Sequence, residues 1–433
     1  MKCLILAAGK GSRLQHREEP KPLIEILGIP LIERVIRTAI NAGADDFYVV
    51  VGNNVDKISS FLSILSEKLN VKITTIYNEK WSEFDNAYSV YKAKDYLDGA
   101  FLLLMSDHIV DEEIIQKVIK NAKDKEHVFL GVDIREDNPF IDLNDATKVK
   151  FEDENVKDIG KDIEDYNGID TGVFYCNSVI FDAIEEILIQ GKSRLSDAIK
   201  ILGEKNLVKA VIIDKGFWID VDTDECIVRA ENYLLSKLNG KINDGIISRK
   251  INRPISIKIS KFISKYRITP NQISIISFII SCLAAYLFSF KNYAGLFFGG
   301  ILAQFSSIID GCDGEIARLK YQSSKFGAWL DAILDRYADA FLIWGLIWHV
   351  LDKNTVFWGI LALIGSFIVS YTADKYDSMM KKKILSSSVR IGRDLRIFII
   401  FAGAILNQVI LTLAILAILM NLEVIRRLWI CRD

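Results

Sequence analysis

Hydrophobic positions fall along this chain in two different patterns. In the first half, short apolar runs alternate with longer amphipathic stretches. Residues 3–8 read as a buried strand, followed by a helix over 30–42 and a strand at FYVVVG (47–52). VKITTIY (71–77), AFLLLMSD (100–107), VFLGVDI (128–134) and GVFYC (172–176) continue the series, with helical stretches between many of them. Continuously apolar strands separated by helices predict an α/β domain with a mainly parallel sheet. Ligands of such sheets bind beyond the strand C-termini, where the glycine-rich turn after the first strand and Asp107 both fall.

From residue 271 the pattern changes to long apolar runs. A span needs about 20 mainly apolar residues, and six are expected, over 271–290, 294–316, 325–350, 354–376, 395–408 and 409–427. The basic stretch SRKINRPISIKISKFISKYR (248–267) carries recurring Ile and Phe. It suits a helix lying in the membrane interface, or a charged surface helix of the soluble domain. Three regions result: 1–235, a linker with the basic helix over 236–270, and a membrane domain over 271–433. An even span count returns the C-terminus to the side of the first domain. Arg318, Lys320, Lys325, Lys381, Lys382, Lys383, Arg390, Arg393, Arg426, Arg427 and Arg432 then lie inside, against Lys291 and Lys353 outside. That agrees with the positive-inside rule and predicts a multi-pass cell-membrane protein whose first domain and C-terminus are cytosolic.

Composition sharpens this division. Half of the 433 residues are hydrophobic and a quarter are charged, but the charges crowd the first 270 positions. The net charge of −2 gives no reason to expect a nucleic-acid partner. The six cysteines, at 3, 176, 226, 282, 312 and 431, form no CxxC pair and read as reduced thiols. The N-terminal apolar run is too short for a secretion signal.

The first chemical pattern is LAAGKGSRL (6–14) with PKPL (20–23). Gly9 and Gly11 let backbone N–H groups approach a phosphate closely, and Arg13 and Lys21 can neutralise a triphosphate. The spacing is neither a Walker A loop nor a dinucleotide fingerprint. Alone, a glycine-rich turn also serves as a plain strand–helix connection. Together, Leu6, Ala7, Ala8, Gly9, Gly11, Ser12, Arg13 and Lys21 resemble the signature of the sugar-phosphate nucleotidyltransferases, which have a Rossmann-like fold. The resemblance implies a nucleoside triphosphate, Mg²⁺, and attack by a substrate phosphate on the α-phosphorus. It further implies metal binding by Asp107 in MSDH and by Asp220, with Asp222 beside it, in WIDVDT. Lys161 would hold the acceptor phosphate, and Asn86 and Ser89 of NAYS would read the base. Taken singly, Asp107 also suits a helix cap and Asp220 a turn.

The second pattern runs from Asp310 through Asp313, Gly314, Ala317, Arg318, Gly327 and Asp331 to Asp335. Asp310 and Asp313 share one helix face, and Asp331 and Asp335 another. Four carboxylates near the ends of apolar spans repel one another unless neutralised. Oxygen-only ligands favour Mg²⁺, Mn²⁺ or Ca²⁺ over zinc. The spacing D-x2-D-G-x2-A-R-x8-G-x3-D-x3-D is identified as the signature of the CDP-alcohol phosphotransferases. That resemblance implies two metals held by the four aspartates, with Asp335 also the base that deprotonates the acceptor. Gly314, Ala317 and Gly327 would admit the cytidine nucleotide, and Arg318 would hold a phosphate. Asn271 resembles a position near the nucleotide, and equally a helix N-cap. Arg390 and Arg393 suit an anionic acceptor such as an inositol phosphate, but first of all the positive-inside rule.

A domain that makes a CDP-alcohol, fused to one that consumes it, resembles the archaeal and thermophile bifunctional family that makes the precursor of di-myo-inositol phosphate. The fold expected is an α/β Rossmann-like nucleotidyltransferase domain followed by an all-α membrane domain of about six transmembrane helices. The resemblance implies that CTP and inositol 1-phosphate give CDP-inositol and pyrophosphate. CDP-inositol and inositol phosphate then give di-myo-inositol phosphate phosphate and CMP. Mg²⁺, with Mn²⁺ as the alternative, would serve both sites. The partners expected are these substrates, the lipid bilayer and a second copy of the chain through the membrane domain. The competing reading is a membrane phospholipid synthase with a non-catalytic, nucleotide-binding regulatory first domain.

Overall fold

Strands buried on both faces need apolar residues at every position, and β1 (Lys2–Ala7) meets that demand with five consecutive buried residues. The computed structural model describes all residues except 15, 136–137, 240–244, 381–391 and 433. The chain divides into two compact units, Met1–Asn232 and Tyr233–Asp433.

In the first unit, β1, β2 (Asp46–Val51), β3 (Lys72–Tyr77) and β4 (Phe101–Met105) pair in parallel in the order β3-β2-β1-β4. A short strand, β5 (His108–Val110), leaves the end of β4. The sheet continues with β6 (Val128–Asp133), β7 (Lys148–Glu152), β8 (Asn155–Gly160), β9 (Gly168–Cys176) and β10 (Val208–Ile213). The full order is β3-β2-β1-β4-β9-β6-β10-β8-β7. Here the structure departs from the expected mainly parallel sheet. β9 runs antiparallel to both β4 and β6, and β7 and β8 form an antiparallel hairpin. The two-residue turn Asp153–Glu154, with both residues at positive φ, is too short to join parallel strands.

Helices complete the layers: α1 (Leu31–Asn41), α2 (Val55–Leu69), α3 (Asn86–Tyr91), α4 (Glu112–Asn121), α5 (Val179–Ile189) and α6 (Leu195–Glu204). One apolar cluster joins the sheet to α3, α5 and α6 through Ala87, Val90, Ile184 and Leu202. A second joins it to α1, α2 and α4 through Ile32, Val35, Leu62 and Val118. A last strand, β11 (Trp218–Asp220), pairs antiparallel with β5, and α7 (Asp224–Ser236) follows.

The second unit is all-α: α8 (Arg253–Ile263), α9 (Pro270–Phe288), α10 (Tyr293–Leu319), α11 (Lys325–Val350), α12 (Lys353–Tyr371), α13 (Ala373–Met380), α14 (Arg393–Ile405) and α15 (Val409–Ile430). Thr269, Asn292, Ser324 and Asp352 cap four of these helices with their side chains, satisfying N–H groups that apolar surroundings would leave orphaned. Phe288, Leu342, Leu346, Ile400, Leu413 and Leu416 form the core.

Among the described residues four helices, α9, α10, α12 and α15, are long and apolar enough to cross a membrane. This corrects the expected count of six. The stretch 325–350 does form one 26-residue helix, but Asp331, Asp335, Arg336 and Asp339 interrupt its apolar character. The stretch 395–408 contributes to α14, whose 13 residues reach about 20 Å, short of a bilayer core of about 30 Å.

The basic segment 248–267 forms a wide turn (Ser248–Asn252) and then α8. Arg253, Ser256 and Ser260 face inward, while Arg249, Lys250, Lys258, Lys265 and Arg267 are exposed. Arg253 Nη1 and Ser256 Oγ donate to Glu315 Oε1 at 2.7 and 2.6 Å, and Ser260 Oγ donates to Oε2 at 2.7 Å. Ile255 and Phe262 point outward and are exposed.

In the first unit, Phe181 of α5 stacks on Phe101 of β4 with ring centroids 5.8 Å apart, and both are buried. Phe181→Ala is expected to cost about 3–5 kcal/mol, as large-to-small changes in a packed core do. In a thermal melt of the full chain the first unit's transition then falls by roughly 6–20 °C. A shift below about 2 °C would show that this contact is not core.

Candidate active sites

The first site forms where the sheet order turns outward on either side of β1 and β4. A cleft of ≈ 970 Å³ opens there, lined among others by Leu6, Ala8, Gly9, Lys21, Asp107 and Lys161. Gly11 has φ +59°, and a Cβ on it would come within 2.9 Å of the Lys21 Cβ. The turn therefore needs glycine to let Lys21 lie against it. A Cβ at Gly9 would meet no protein atom within 4 Å, so the space it faces is the cleft. Ala7 points away into the apolar cluster under α1 and α2. Ser12 begins a one-turn 3-10 helix that carries Arg13.

Lys21 sits at the centre of the charges. Its Nζ lies 2.6 Å from Asp107 Oδ2 and 3.6 Å from Asp220 Oδ1, and it is paired with Asp222. Asp107 and Asp220 are brought together by strand pairing: β11 lies on β5 with Asp220 opposite His108 and Trp218 opposite Val110. His108 Nδ1 is 2.9 Å from Asp107 Oδ1, and its ring stacks on Trp218 with centroids 6.1 Å apart. Arg13 Nη1 is 2.9 Å from Asp222 Oδ2 and also pairs with Asp145. Lys161 Nζ lies 2.6 Å from the other oxygen of Asp145. Asp107 does not cap a helix, since β5 follows it directly, and Asp220 lies in β11 rather than in a turn.

These contacts split the two acids. Burial disfavours the charge of Asp107, but Lys21 and His108 outweigh it and hold the carboxyl below its ordinary range. Burial pushes Asp220 up to about 6, only partly opposed by His108 and Lys21. Asp220 Oδ1 is buried and accepts no hydrogen bond. Burial also works against a charge on His108, yet Asp220 and Asp107 raise it to about 9. Asp107, His108 and Asp220 present ligand atoms within 4.8 Å of one another. An orphaned carboxylate oxygen beside a second acid fits a divalent cation.

Asn86 and Ser89 both line the cleft, and both also bind protein. Asn86 Oδ1 accepts from Leu195 N–H at 2.8 Å, and Ser89 Oγ accepts from Asn78 Nδ2 at 3.0 Å. Three residues of this neighbourhood were absent from the expectations: His108, Asp145 and Asp170. Asp170 lines the cleft and accepts from Gly172 N–H at 2.7 Å, and burial pushes its carboxyl up to about 6. His108 is adjacent to Asp107 in MSDH, a signal that could have been used. Asp145 lies in a polar loop with no local mark.

In the second unit, α10 supplies Asp310 and Asp313, and α11 supplies Asp331 and Asp335. Asp310, Asp331 and Asp335 place ligand oxygens within 4.8 Å of one another. Asp313 stands outside that tight group, accepting from Ser274 Oγ at 2.5 Å and from the N–H of Gly314. Ser277 Oγ lies 3.3 Å from Asp310 Oδ1. Asp331 Oδ1 is buried without a hydrogen-bond partner, so this cluster too fits a divalent cation. Gly314, Ala317 and Arg318 follow along α10 with helical spacing from Asp310.

Gly327 lies against Asn271: a Cβ there would come within 3.0 Å of both Asn271 Oδ1 and Ser324 Oγ. The cap of α9 is Thr269, in a capping box with Gln272, which removes the cap reading of Asn271. Arg393 is drawn into the acids rather than lying free at a helix end. Its Nη1 is 2.8 Å from Asp310 Oδ2 and 2.6 Å from Asp335 Oδ1. Arg390 lies outside the described residues.

Two family models match the chain. "Nucleotidyl transferase" covers residues 2–237 and "CDP-alcohol phosphatidyltransferase" covers 267–429. A protein of Aquifex aeolicus (strain VF5), "Bifunctional IPC transferase and DIPP synthase", is 34% identical over 99% of this chain and 97% of its own length. Proteins of the same name from Archaeoglobus fulgidus and Rubrobacter xylanophilus are 35% and 33% identical. They cover 94% and 98% of this chain, and 79% and 95% of their own lengths. With both catalytic families matched in sequence order and relatives aligned across nearly the whole length, the chain belongs to the bifunctional IPC transferase and DIPP synthase family.

Proposed function

We propose that the first unit joins CTP to inositol 1-phosphate, and that the second transfers the phosphoinositol group of the resulting CDP-inositol to a second inositol phosphate. The products are pyrophosphate in the first step, and di-myo-inositol phosphate phosphate with CMP in the second. The observation that carries this reading is the pairing, on one chain, of a lysine held among three aspartates and a separate cluster of aspartates from two helices. Phosphoryl-type transfer asks the protein for positioning and charge rather than covalent chemistry, and both constellations supply that.

In the first step Lys21 and Arg13 neutralise the triphosphate while backbone N–H groups beside Gly9 and Gly11 approach it. Leu6 and Ala8 shape the floor beneath them. Lys161 holds the phosphate of inositol 1-phosphate, whose oxygen attacks the α-phosphorus as pyrophosphate leaves. Asn86 and Ser89 lie where the cytosine is read. Asp107 and Asp220, with Asp222 beside them, would hold Mg²⁺ or Mn²⁺. In the second step Asp310, Asp313, Asp331 and Asp335 would hold two such ions, which would offset charge on the donor diphosphate. Gly314, Ala317, Gly327 and Asn271 border the nucleotide, and Arg318 takes one of its phosphates. Asp335 accepts the proton of the attacking hydroxyl, and Arg393, with Arg390, meets the acceptor's phosphate. The first unit and the C-terminus lie on the cytosolic side, as an even number of crossings and Arg426, Arg427 and Arg432 at the end of the chain favour. Outward-facing side chains such as Ile279, Leu283 and Phe298 are covered by lipid or by a second copy in a homodimer. The intact charge set around Lys21 favours this over an idle first unit.

Incubating the purified protein with CTP, Mg²⁺ and inositol 1-phosphate, then following phosphorus NMR, tests the whole sequence. Pyrophosphate, CMP and a new phosphodiester are expected, and the absence of any phosphodiester signal sinks the two-step reading.

Asp107→Ala is expected to abolish pyrophosphate release from CTP while sparing the use of added CDP-inositol, because the two sites lie in separate units. Loss of both half-reactions in a folded variant would contradict two independent sites. Lys21→Ala or Arg13→Ala is expected to slow the first step by several-fold to about a thousandfold, as lost transition-state charge stabilisation does. Unchanged initial rates in both variants would remove the cradle. Asp335→Asn keeps the shape but removes the base, so donor binding measured by calorimetry persists while CMP release falls at least about a hundredfold. Near-normal release by this variant would rule the base role out.

A further inference from the structure

Asp339 lies one helical turn beyond Asp335 on α11, outside the eight-position aspartate signature. Acids at 331, 335 and 339 recur every four residues and so share a helix face. Asp339 is 2% exposed, and a carboxylate so enclosed is tolerated only when paired. Two guanidinium groups of α14 meet it. Arg396 Nη2 donates to Asp339 Oδ2 at 2.7 Å, and Arg393 Nε donates to Oδ1 at 3.2 Å. Arg396 is itself buried and reaches α12, donating to Ser370 Oγ at 3.1 Å and to the Ser366 carbonyl at 3.4 Å. Asp339 thus ties α11 to α14, and through Arg396 to α12.

Arg393 connects this buried tie to the reactive cluster. The guanidinium is planar and rigid. Fixing its Nε on Asp339 therefore sets the direction of its Nη1 edge, which reaches Asp310 at 2.8 Å and Asp335 at 2.6 Å. Had Arg393 only Asp310 and Asp335 as partners, any group that displaced it from them would release the side chain. Asp339 keeps one edge of the fork held when the other is drawn away from Asp310 and Asp335.

We infer that Asp339 is a positioning residue for the second reaction, aiming Arg393 at the place where the acceptor's phosphate arrives beside Asp335. The inference rests on the proposed function, which assigns Arg393 to that phosphate. Asparagine at 339 offers one carbonyl oxygen to two arginines and turns an N–H toward the other. Arg393 then loses its orientation although its charge remains.

The test uses the full-length protein, with CMP release measured while CDP-inositol and inositol phosphate are varied separately. Two variants are compared: Asp339→Asn, and Asp339→Asn combined with Arg396→Gln, which removes one buried charge of each sign. In both, the KM for inositol phosphate is expected to rise about tenfold or more, the scale of one charge-assisted hydrogen bond. The KM for CDP-inositol is expected to stay within about twofold, and kcat to change less than the acceptor KM. An acceptor KM within about twofold of wild type in a variant with an unchanged thermal transition overturns the inference. So do equal losses across kcat and both KM values, or failure of both variants to fold, which would make Asp339 part of the scaffold. A wild-type protein that forms no phosphodiester removes the proposed second step itself, and the inference with it. Active wild type with unaffected variants removes the inference alone.

Discussion

Carboxylates crowded within a few ångströms of one another must be offset by positive charge, and both units of this protein are arranged around that requirement. At effective dielectric constants typical of protein surfaces, two like charges about 4 Å apart repel by about 4 kcal/mol. In the first unit Lys21 answers three acids at once, with Arg13 beside it and His108 Nδ1 against Asp107. In the second unit Arg393 is drawn among Asp310, Asp335 and Asp339. The two solutions share a logic: a cation holds the acids in place while at least one carboxylate oxygen, on Asp220 or Asp331, is left without a hydrogen bond. That oxygen is where an additional positive charge is most favoured.

The same requirement explains why the second unit resists being counted in spans. A helix that delivers acids to an interior cluster must carry them in its own sequence. Its apolar character then drops although it remains 26 residues long. α11 is shaped by the chemistry it presents, and α14 by the two arginines that answer it, so neither has the composition of an ordinary crossing helix. α9, α12 and α15 carry no such duty, and α10 keeps its acids near one end; all four remain recognisable by apolarity.

Much of this was legible in the residues. The parallel half of the sheet announced itself through continuous apolar runs, and the glycine-rich turn and the spaced aspartates named the two sites. What stayed hidden depended on partners far away in sequence. The antiparallel entry of β9 is not visible in GVFYC, because periodicity does not report direction. Asp145 lies in a polar loop, and only the fold shows it between Arg13 and Lys161. Arg393 read as a holder of an anionic acceptor or as one of the basic residues of an inside loop, with no sign that it would meet the aspartates. Its placement among three acids comes from the docking of α14 on α10 and α11, which no local pattern encodes. Asn271 was ambiguous because caps and ligands use the same side chains, and Thr269 settled that only once its hydrogen bonds were seen.

The pairing of β5 with β11 has a consequence for how such a site can change over time. Asp107 and Asp220 come from distant parts of the chain, yet they meet through a ribbon of three facing residue pairs. Strand side chains alternate sides, so a slip of one position would turn Asp220 to the opposite face. The ribbon therefore behaves like a clasp with a single closing position. Turns between its two halves that lie outside the sheet core, such as the one joining β7 to β8, can lengthen or shorten without moving the two acids. Variation in what is recognised is thereby separated from the constancy of what reacts.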